Sequence, residues 1–305
     1  MFKRLLCTHT YSVIKTLKKS ILLLALCLFF QTFFVKPARA NAQSMPFYDL
    51  KPSTIVTRSV FSTDYSTSTQ ERKTNVQIAS NALNNVFVDV GGEFSFNTTV
   101  GERTEKRGYK KAKIIFNGEF VDGVGGGVCQ VSTTLYNALL LADLKIIEYH
   151  PHTLPVSYVK PSFDAMVNSG SADLKFVNNT HNPIIIKTNA NGQMLKITIL
   201  GEKLDYKITQ ASQITEKLPL PEPILKQDLD GEYPDLLKGQ QRVIYYGKNG
   251  YKSTGSLVYW LNGKVVKQKV IRKDTYKGIK GLTVIGTATL PPPNQNLSPP
   301  LDIGQ

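Results

Sequence analysis

The chain has 305 residues, of which 41% are hydrophobic, and carries a formal net charge of +14. This length is enough for one large or two ordinary domains with hydrophobic cores, and it favours two. The basic charge suits a polyanionic surrounding such as a cell envelope. No nucleic-acid-binding motif accompanies that charge, so we expect no nucleic-acid partner.

The first 40 residues have the pattern of a secretory signal peptide. Basic residues without any acidic residue precede an apolar run over residues 21–35, and an Ala-x-Ala motif ends at Ala40. The run is shorter than the roughly 20 residues of a membrane-spanning helix, which favours cleavage after Ala40 over an uncleaved anchor. We therefore expect a secreted, envelope-associated protein that touches the membrane only if the signal stays uncleaved. Cleavage removes seven Lys or Arg residues and no Asp or Glu, which lowers the net charge from +14 to +7.

Two of the three cysteines, Cys7 and Cys27, lie inside the predicted signal peptide. Cys129 is then the single cysteine of the mature chain, which excludes an internal disulfide. An exported protein that keeps one thiol either buries it as a small apolar side chain or uses it for chemistry. Composition alone leaves both roles open.

The start of the mature chain predicts mixed α and β structure. A polar, extended lead-in covers residues 41–56, and residues 56–69 alternate like a strand. Residues 70–85 have helical spacing. Residues 86–97 then predict a strand, a Gly-Gly turn and another strand.

A β-hairpin and a glycine-rich loop precede the single thiol. The hairpin strands are residues 111–116 and 119–122, joined by Asn117-Gly118, a dipeptide typical of tight hairpin turns. Four glycines follow within residues 123–127. Apolar residues then recur at helical spacing up to Asp143, so the thiol is predicted to lie at a helix N-terminus.

The rest of the chain is predicted to be mainly β. Residues 145–150 predict a strand, and after a proline-marked loop residues 155–159 predict another. Three strands with two turns are predicted within residues 172–203. Together with the helix that follows the glycines, these strands indicate an α+β fold: a mixed catalytic domain with a central helix packed on β-strands, then a small all-β module.

The predicted domain boundaries follow the composition. Residues 1–40 are the signal peptide and residues 41–211 the mixed domain with its lead-in. Residues 212–225 contain three prolines and predict an extended linker. Residues 226–288 form the β module, and the proline-rich residues 289–305 predict a disordered tail.

Cys129 combines two features of an activated nucleophile. A helix N-terminus offers free backbone N–H groups and the positive end of the helix dipole, which stabilise a thiolate. The preceding glycines let further amides approach a substrate carbonyl. The helix advances about 20 Å and the following strand returns about 20 Å, so His150 and His152 are expected near the height of the thiol. Either histidine can serve as the base, and Asp164 or Glu148 can orient it.

Structural roles are the alternative for the same residues. Cys129 can be a buried inert thiol, and His150 and His152 can belong to a surface loop. Asp164 can cap a turn, and His181 is expected to be a solvated turn residue. A zinc site that combines the thiol with the two histidines lacks the usual ligand spacing. The glycine loop also lacks the Lys-Ser/Thr pair of a phosphate-binding P-loop, so we expect no metal and no cofactor.

The middle of the chain closely resembles the VanW family of bacterial envelope proteins. The matching stretches are GGEFSFNTTVGERTEKRGYKKAKIIFNGE (91–119), GVGGGVCQVSTTLYNALLLADLKIIE (123–148), HPHTLPVSYVKPSFDAMV (150–167) and DLKFVNNTHNPIII (173–186). Residues 216–287 resemble a G5 domain, whose glycine pattern is supplied by Gly239, Gly247, Gly250, Gly255, Gly263 and Gly286.

The VanW resemblance implies an activity and a set of site residues. The family takes its name from glycopeptide-resistance gene clusters. Its domains are identified as cysteine-dependent L,D-transpeptidases of peptidoglycan, which implies that activity here, or L,D-carboxypeptidase activity, through a thioester acyl-enzyme. The implied catalytic residues are Cys129 as nucleophile, His152 in preference to His150 as base, and Asp164 as its orienting group. The implied oxyanion and substrate-binding groups are the backbone of Gly126, Gly127 and Cys129, aided by Gln130, and the side chains of Ser132, Thr133 and Tyr158.

The implied partners are peptidoglycan stem peptides and glycan. The G5 resemblance implies an adhesive β module that supplies targeting to cell-wall glycan. A non-catalytic wall-binding protein is the alternative function. A cysteine peptidase of exported proteins is disfavoured because no specificity pocket can be identified from the sequence.

Overall fold

The computed structural model describes residues 55–116 and 119–289. The predicted signal peptide, most of the lead-in, the Asn117-Gly118 turn and the tail from residue 290 onward lie outside the described residues. Within the described ranges no helix is long and apolar enough to cross a membrane.

The N-terminal part contains, in chain order, β1 (Val56–Asp64), α1 (Gln70–Leu83), β2 (Val86–Val88), β3 (Glu93–Ser95), α2 (Phe96–Val100), a 3-10 turn (Glu105–Arg107), β4 (Lys111–Phe116), β5 (Glu119–Val124), α3 (Val128–Leu141), β6 (Lys145–Glu148), β7 (Lys175–Val177), β8 (Ile184–Ala190) and β9 (Met194–Gly201). The C-terminal part contains β10 (Lys207–Lys217), β11 (Ile224–Gln227), β12 (Gln241–Tyr245), β13 (Tyr251–Leu261), β14 (Lys264–Tyr276) and β15 (Leu282–Ile285).

A four-stranded antiparallel sheet with the order β1-β9-β8-β2 supports the N-terminal part. The helix α3 packs against β1 and β9, and α1 packs against β8 and α3. Val131, Leu135 and Leu139 of α3 are fully buried, as are Ile197 and Ile199 of β9. Because α3 is enclosed on most of its surface, the position of its first turn is fixed by the core.

The fold-class prediction is confirmed in part. The described residues are mostly β, and their helical part is limited to α1, α2, α3 and one 3-10 turn. The C-terminal part is a small β module with two three-stranded sheets, β10-β13-β14 and β11-β15-β12.

The residues predicted as a linker, 212–225, are in part a strand. β10 continues to Lys217 and pairs with β13 from Lys207↔Trp260 to Lys217↔Tyr251. The partner strand lies tens of residues further along the chain, so the local sequence does not reveal the pairing. Only the proline-rich end of this segment, before β11, stays without regular structure.

Two shorter predictions also need correction. Residues 155–159, predicted as a strand, are irregular, since Pro155 has no N–H to donate to a ladder. The strand predicted to continue past Ser95 instead becomes α2, because the Ser95 hydroxyl caps that helix by accepting from the Thr98 N–H at 3.1 Å.

The C-terminal β module shares a core with the N-terminal part. Ile208 of β10 and Leu257 and Tyr259 of β13 belong to the same buried cluster as the residues of α3. The hydroxyls of Tyr206 and Tyr259 both donate to the Asp143 carboxylate just after α3, at 2.5 and 3.0 Å. Strand β10 therefore packs on the helix that carries the thiol, and β13 contacts the residue Asp143 just after it.

Candidate functional site

The glycine loop between β5 and α3 is held in one conformation by its neighbours. The buried side chain of Asn75 donates to the Gly126 carbonyl and to the Lys110 carbonyl, at 2.9 Å each, and accepts from the Lys110 N–H. Gly127 is the N-cap of α3 with φ 108°, a left-handed conformation that favours glycine. A Cβ at Gly126 would lie 2.7 Å from the Lys113 carbonyl oxygen, so this position has no room for a side chain.

Cys129 is the second residue of α3 and lies at the predicted helix N-terminus. Its side chain is partly buried, and its Sγ lies 3.3 Å from the Val167 carbonyl oxygen, to which the thiol donates while it keeps its proton. The thiol therefore lies beside the loop that connects β6 to β7, which also carries the two candidate histidines.

His152 and Asp164 form a buried pair behind the thiol. His152 Nδ1 lies 2.8 Å from Asp164 Oδ2, and the His152 backbone N–H donates to the same oxygen at 2.6 Å. The two residues are 4% and 1% exposed. The carboxylate therefore fixes the imidazole, while the imidazole interacts with the Cys129 thiol. This arrangement has the order nucleophile, base, orienting group.

The site favours a thiolate paired with an imidazolium. Burial acts to raise the pKa of Cys129, but the hydrogen bond and charge of His152, together with the charge of Arg103, outweigh it and lower that pKa. Burial acts to lower the pKa of His152, but its bonds to Asp164 and Cys129 prevail and raise it to about 9. The two shifts act in the same direction and favour transfer of the thiol proton to His152.

His150 is not part of this group. Its Nε2 lies 3.0 Å from Glu148 Oε1, and the other Glu148 oxygen lies 2.9 Å from Lys175 Nζ. The hydrogen bonds from Lys175 and His150 lower the pKa of Glu148 to about 2. The two histidines therefore point to different carboxylates, and only His152 reaches the thiol. Among the described residues no group of three His, Cys, Asp or Glu could hold a metal ion.

The hydrogen bonds at the start of α3 limit which groups can bind an oxyanion. The Val128 and Gln130 N–H groups donate to the carbonyls of Gly125 and Gly127. The Gln130 carboxamide donates to Thr63 Oγ1 at 3.1 Å and to the Asp64 carbonyl at 2.8 Å. Both hydrogens of the Gln130 side chain are therefore committed, so it does not act as a free oxyanion donor in this conformation.

Ser132 and Thr133 face the protein interior. Both side chains are fully buried, and both bond to the backbone of Ala165. The Ser132 hydroxyl donates to the Ala165 carbonyl at 2.6 Å. These residues therefore hold the loop next to Asp164. They do not line a substrate-binding surface, which is the role that was predicted for them. The polar pattern of α3 gave no sign of this, because the partner residues lie more than 30 positions away.

A cleft of about 720 Å³ opens over the thiol. Its wall includes Cys129, His152, Gly126, Gly127 and Gln130, together with Tyr158. Burial raises the pKa of Tyr158, which keeps its hydroxyl protonated and able to donate. The cleft thus brings together most of the predicted site residues, while Asp164, His150 and Ser132 are not part of its wall.

Basic side chains around the cleft were missed by the sequence reasoning. Arg72, Arg103, Lys113 and Lys248 line it. Arg103 donates to the neutral acceptors Asn97 Oδ1 and Ser169 Oγ, at 2.6 and 3.0 Å, and Arg72 donates to Gln130 Oε1 at 2.9 Å. Lys113 is paired with Asp122 at 3.0 Å and Asp64 also lines the cleft, so the excess positive charge comes from Arg72, Arg103 and Lys248, and it favours an anionic ligand. No local motif marks these residues, since they come from separate elements.

Alkylation of Cys129 by iodoacetamide is expected at neutral pH, because the thiolate is stabilised there. In His152→Ala the apparent pKa of alkylation should rise, since the imidazolium is lost. In the matched variant His150→Ala the profile should stay unchanged, because His150 pairs with Glu148. The measurement is the alkylation rate against pH. A shift of the apparent pKa in His150→Ala but not in His152→Ala would refute the assignment of His152 as the partner of the thiol.

Two regions of the chain match known protein families, and two curated proteins are similar to it. Residues 71–200 match the VanW-like protein family, and residues 213–288 match the G5 domain. Uncharacterized protein YoaR of Bacillus subtilis is 42% identical over 158 residues, which cover 52% of this chain and 52% of YoaR. Vancomycin B-type resistance protein VanW of Enterococcus faecalis is 32% identical over 117 residues, which cover 36% of this chain and 42% of that protein.

A solved structure of an IgA1 protease G5 domain also matches. It is 21% identical, covers 28% of this chain and 96% of its own length, and has a TM-score of 0.17. The chain spans about half the length of the curated relatives it matches. Both resemblances drawn from the sequence are confirmed by the family matches.

Proposed function

We propose that this chain, in which a VanW-like domain is followed by a G5 domain, is a secreted, envelope-associated cysteine acyltransferase. Its substrates are peptidoglycan stem peptides, on which it acts as an L,D-transpeptidase or L,D-carboxypeptidase. The observation that carries the proposal is the buried His152–Asp164 pair beside the Cys129 thiol, which lies at the wall of the cleft.

Acylation starts from the Cys129 thiolate and the His152 imidazolium. The Cys129 thiolate attacks the carbonyl carbon that precedes a terminal D-residue, and the negative charge moves to the carbonyl oxygen. In this proposal the backbone N–H groups of Gly126, Gly127 and Cys129, together with the positive helix end, stabilise that oxygen, since the Val128 and Gln130 N–H groups bond to other carbonyls. The C–N bond then breaks, His152 gives its proton to the leaving amine, and a thioester forms on Cys129.

Deacylation uses the now neutral imidazole. The side-chain amine of a second stem, or water, attacks the thioester carbonyl while His152 takes a proton from it. The C–S bond breaks and the thiolate leaves. An amine acceptor gives a new cross-link and water gives a shortened stem, and both outcomes restore the thiolate and the imidazolium.

The cleft supports a substrate with carboxylate groups. Arg72 and Arg103 are held by neutral acceptors, so their charges stay available to a ligand. A guanidinium binds a carboxylate through paired hydrogen bonds, and the terminal D-residue of a stem peptide carries one. This fit supports a stem peptide over a neutral glycan as the ligand of this cleft.

The domain composition supports a role at the cell wall. One relative bears a name that links it to vancomycin resistance. G5 domains are associated with cell-wall or glycan binding, so we propose glycan as a second partner through the C-terminal module. The predicted signal peptide supports export to that compartment.

The test is incubation of the purified protein with disaccharide-tetrapeptide muropeptides, followed by chromatography and mass spectrometry. We expect monomers that have lost the terminal D-residue, or dimers formed with the same loss. If the protein binds the muropeptides but leaves their mass unchanged, the result would instead support the non-catalytic wall-binding function.

A further inference from the structure

The carboxylate of Asp164 is held by two side chains of the G5 domain. Tyr276 donates its hydroxyl to Asp164 Oδ1 at 2.5 Å, and Arg272 Nη2 lies 3.2 Å from the same oxygen. Arg272 Nη1 also donates to the Asp164 backbone carbonyl at 2.5 Å. Both side chains belong to β14, whereas Asp164 lies in the loop between β6 and β7. The residue that orients the base is therefore reached from another domain.

The two oxygens of Asp164 have different partners. Oδ2 accepts from the backbone and the imidazole of His152, while Oδ1 accepts from Tyr276 and Arg272. Rotation of the carboxylate would break bonds at both oxygens, so its plane is fixed. The imidazole that depends on Oδ2 is fixed with it.

Arg272 is itself held rigidly. Its side chain is 1% exposed, and its Nε donates to Asp274 Oδ2 at 2.7 Å. The guanidinium also lies over the rings of Tyr149 and Tyr136, at 4.9 and 5.8 Å from their centroids. Because Nε, Nη1 and Nη2 each have a partner and two rings contact the guanidinium, Arg272 can act as a fixed donor to Asp164.

The same strands hold the backbone of the loop. The Ser162 N–H donates to the Tyr276 hydroxyl at 2.8 Å, and the hydroxyls of Ser162 and Ser253 lie 2.7 Å apart. A Cβ at Gly255 would lie 2.8 Å from the Ser162 carbonyl oxygen, so glycine allows this close approach. The G5 strands β13 and β14 therefore form the surface on which the Asp164 loop rests.

We infer that the G5 domain completes the catalytic site, with Arg272 and Tyr276 as positioning residues that hold Asp164 and, through it, His152. This inference rests on the proposed function for its catalytic meaning. It gives the C-terminal module a part in the reaction besides any contact with glycan. The cysteine, histidine and aspartate of the VanW-like domain are incomplete without the second domain.

The sign of the expected effect follows from the groups around Asp164. These are His152, Cys129, Arg272, Asp274, Tyr276, Tyr136, Tyr158 and Tyr251. Loss of a donor to Asp164 leaves the carboxylate less fixed, so the His152 imidazole is held less firmly beside the thiol. A weaker contact between His152 and Cys129 disfavours the thiolate and should raise the pKa of Cys129.

The experiment compares full-length Tyr276→Phe and Arg272→Lys with the matched controls Tyr246→Phe and Arg242→Lys, which change exposed residues of the same domain. The probe is a disaccharide-tetrapeptide muropeptide, and kcat is expressed per reactive thiol. We expect kcat to fall about tenfold in Tyr276→Phe and about a hundredfold in Arg272→Lys, with KM changed less than about twofold. The apparent pKa of Cys129 alkylation should rise in both, and both controls should match the wild type.

A merely structural role would lower the fraction of reactive thiol but leave kcat per thiol and the alkylation profile unchanged, and that result would overturn the inference. If Arg272→Lys does not fold, Tyr276→Phe decides, since it removes a single hydroxyl. The alkylation profile needs no turnover. If the wild type shows no turnover but the alkylation profile still shifts in Tyr276→Phe, the proposed function is wrong and the positioning role stands.

Discussion

Replacement of Cys129 by alanine is expected to abolish the release of terminal D-residues from muropeptides, with kcat lowered more than about 10⁴-fold. The reason is that, in the proposed mechanism, Cys129 is the one group among the described residues of the cleft wall that His152 converts into a nucleophile. Stability should change by only about 1 kcal/mol, because a small, partly buried side chain is lost. Product chromatography and thermal unfolding measure the two effects.

Cys129→Ser is the matched control for shape. It keeps a donor for the Val167 carbonyl but supplies a weaker nucleophile that His152 does not ionise. We expect a folded protein with residual activity near that of the alanine variant. Wild-type activity in either variant would show that the thiol is a packing residue and that the cysteine mechanism is wrong.

Asp164→Asn is expected to have the second largest effect, a fall in kcat of about 10⁴-fold. The amide keeps the shape but removes the charge that holds His152 in its imidazolium form. Loss of one partner from a buried ionic group should also lower the free energy of unfolding by about 3 kcal/mol. Kinetics on muropeptides and urea unfolding at neutral pH measure these changes.

Asp235→Asn is the matched control, because Asp235 pairs with Arg242 on the exposed surface. Its activity should equal that of the wild type, and its stability should change by less than about 1 kcal/mol. Equal effects of the two Asp→Asn changes would contradict a special role for Asp164.

The pH dependence of stability should also differ between wild type and Asp164→Asn. The raised pKa of His152, about 9 in the folded protein, stabilises the fold below the usual pKa of 6.5. This stabilisation is lost as pH rises through the folded value. Asp164→Asn should lose much of this alkaline-side dependence, because its imidazole no longer faces a carboxylate.

Local features of the site could be predicted from the sequence. The β4–β5 strand pair, the glycine loop and the start of α3 lie within a continuous stretch, where turn chemistry and helical spacing are informative. The lengths of the predicted helix and of the strand after it indicated that His150 and His152 lie near the height of the thiol. Spacing alone left His150 open, because the distinction depends on which carboxylate each ring meets after folding.

Contacts across the fold could not be predicted. Gln130 and Ser132 were assigned to the substrate site on the VanW resemblance, yet their partners are the end of β1 and the Asp164 loop. Arg272 and Tyr276 lie more than 100 residues after Asp164, and their approach depends on the pairing of β13 with β14. Such contacts are set by tertiary packing, which sequence spacing does not encode.

The most direct test of the cysteine mechanism is the intact mass of the protein after brief mixing with a disaccharide-tetrapeptide muropeptide and acid quenching. The proposed mechanism predicts a mass increase equal to the muropeptide without its terminal D-residue, located on the peptide that contains Cys129 and removed by hydroxylamine. Turnover of the muropeptide with no such adduct, or an adduct that persists in Cys129→Ala, would contradict it.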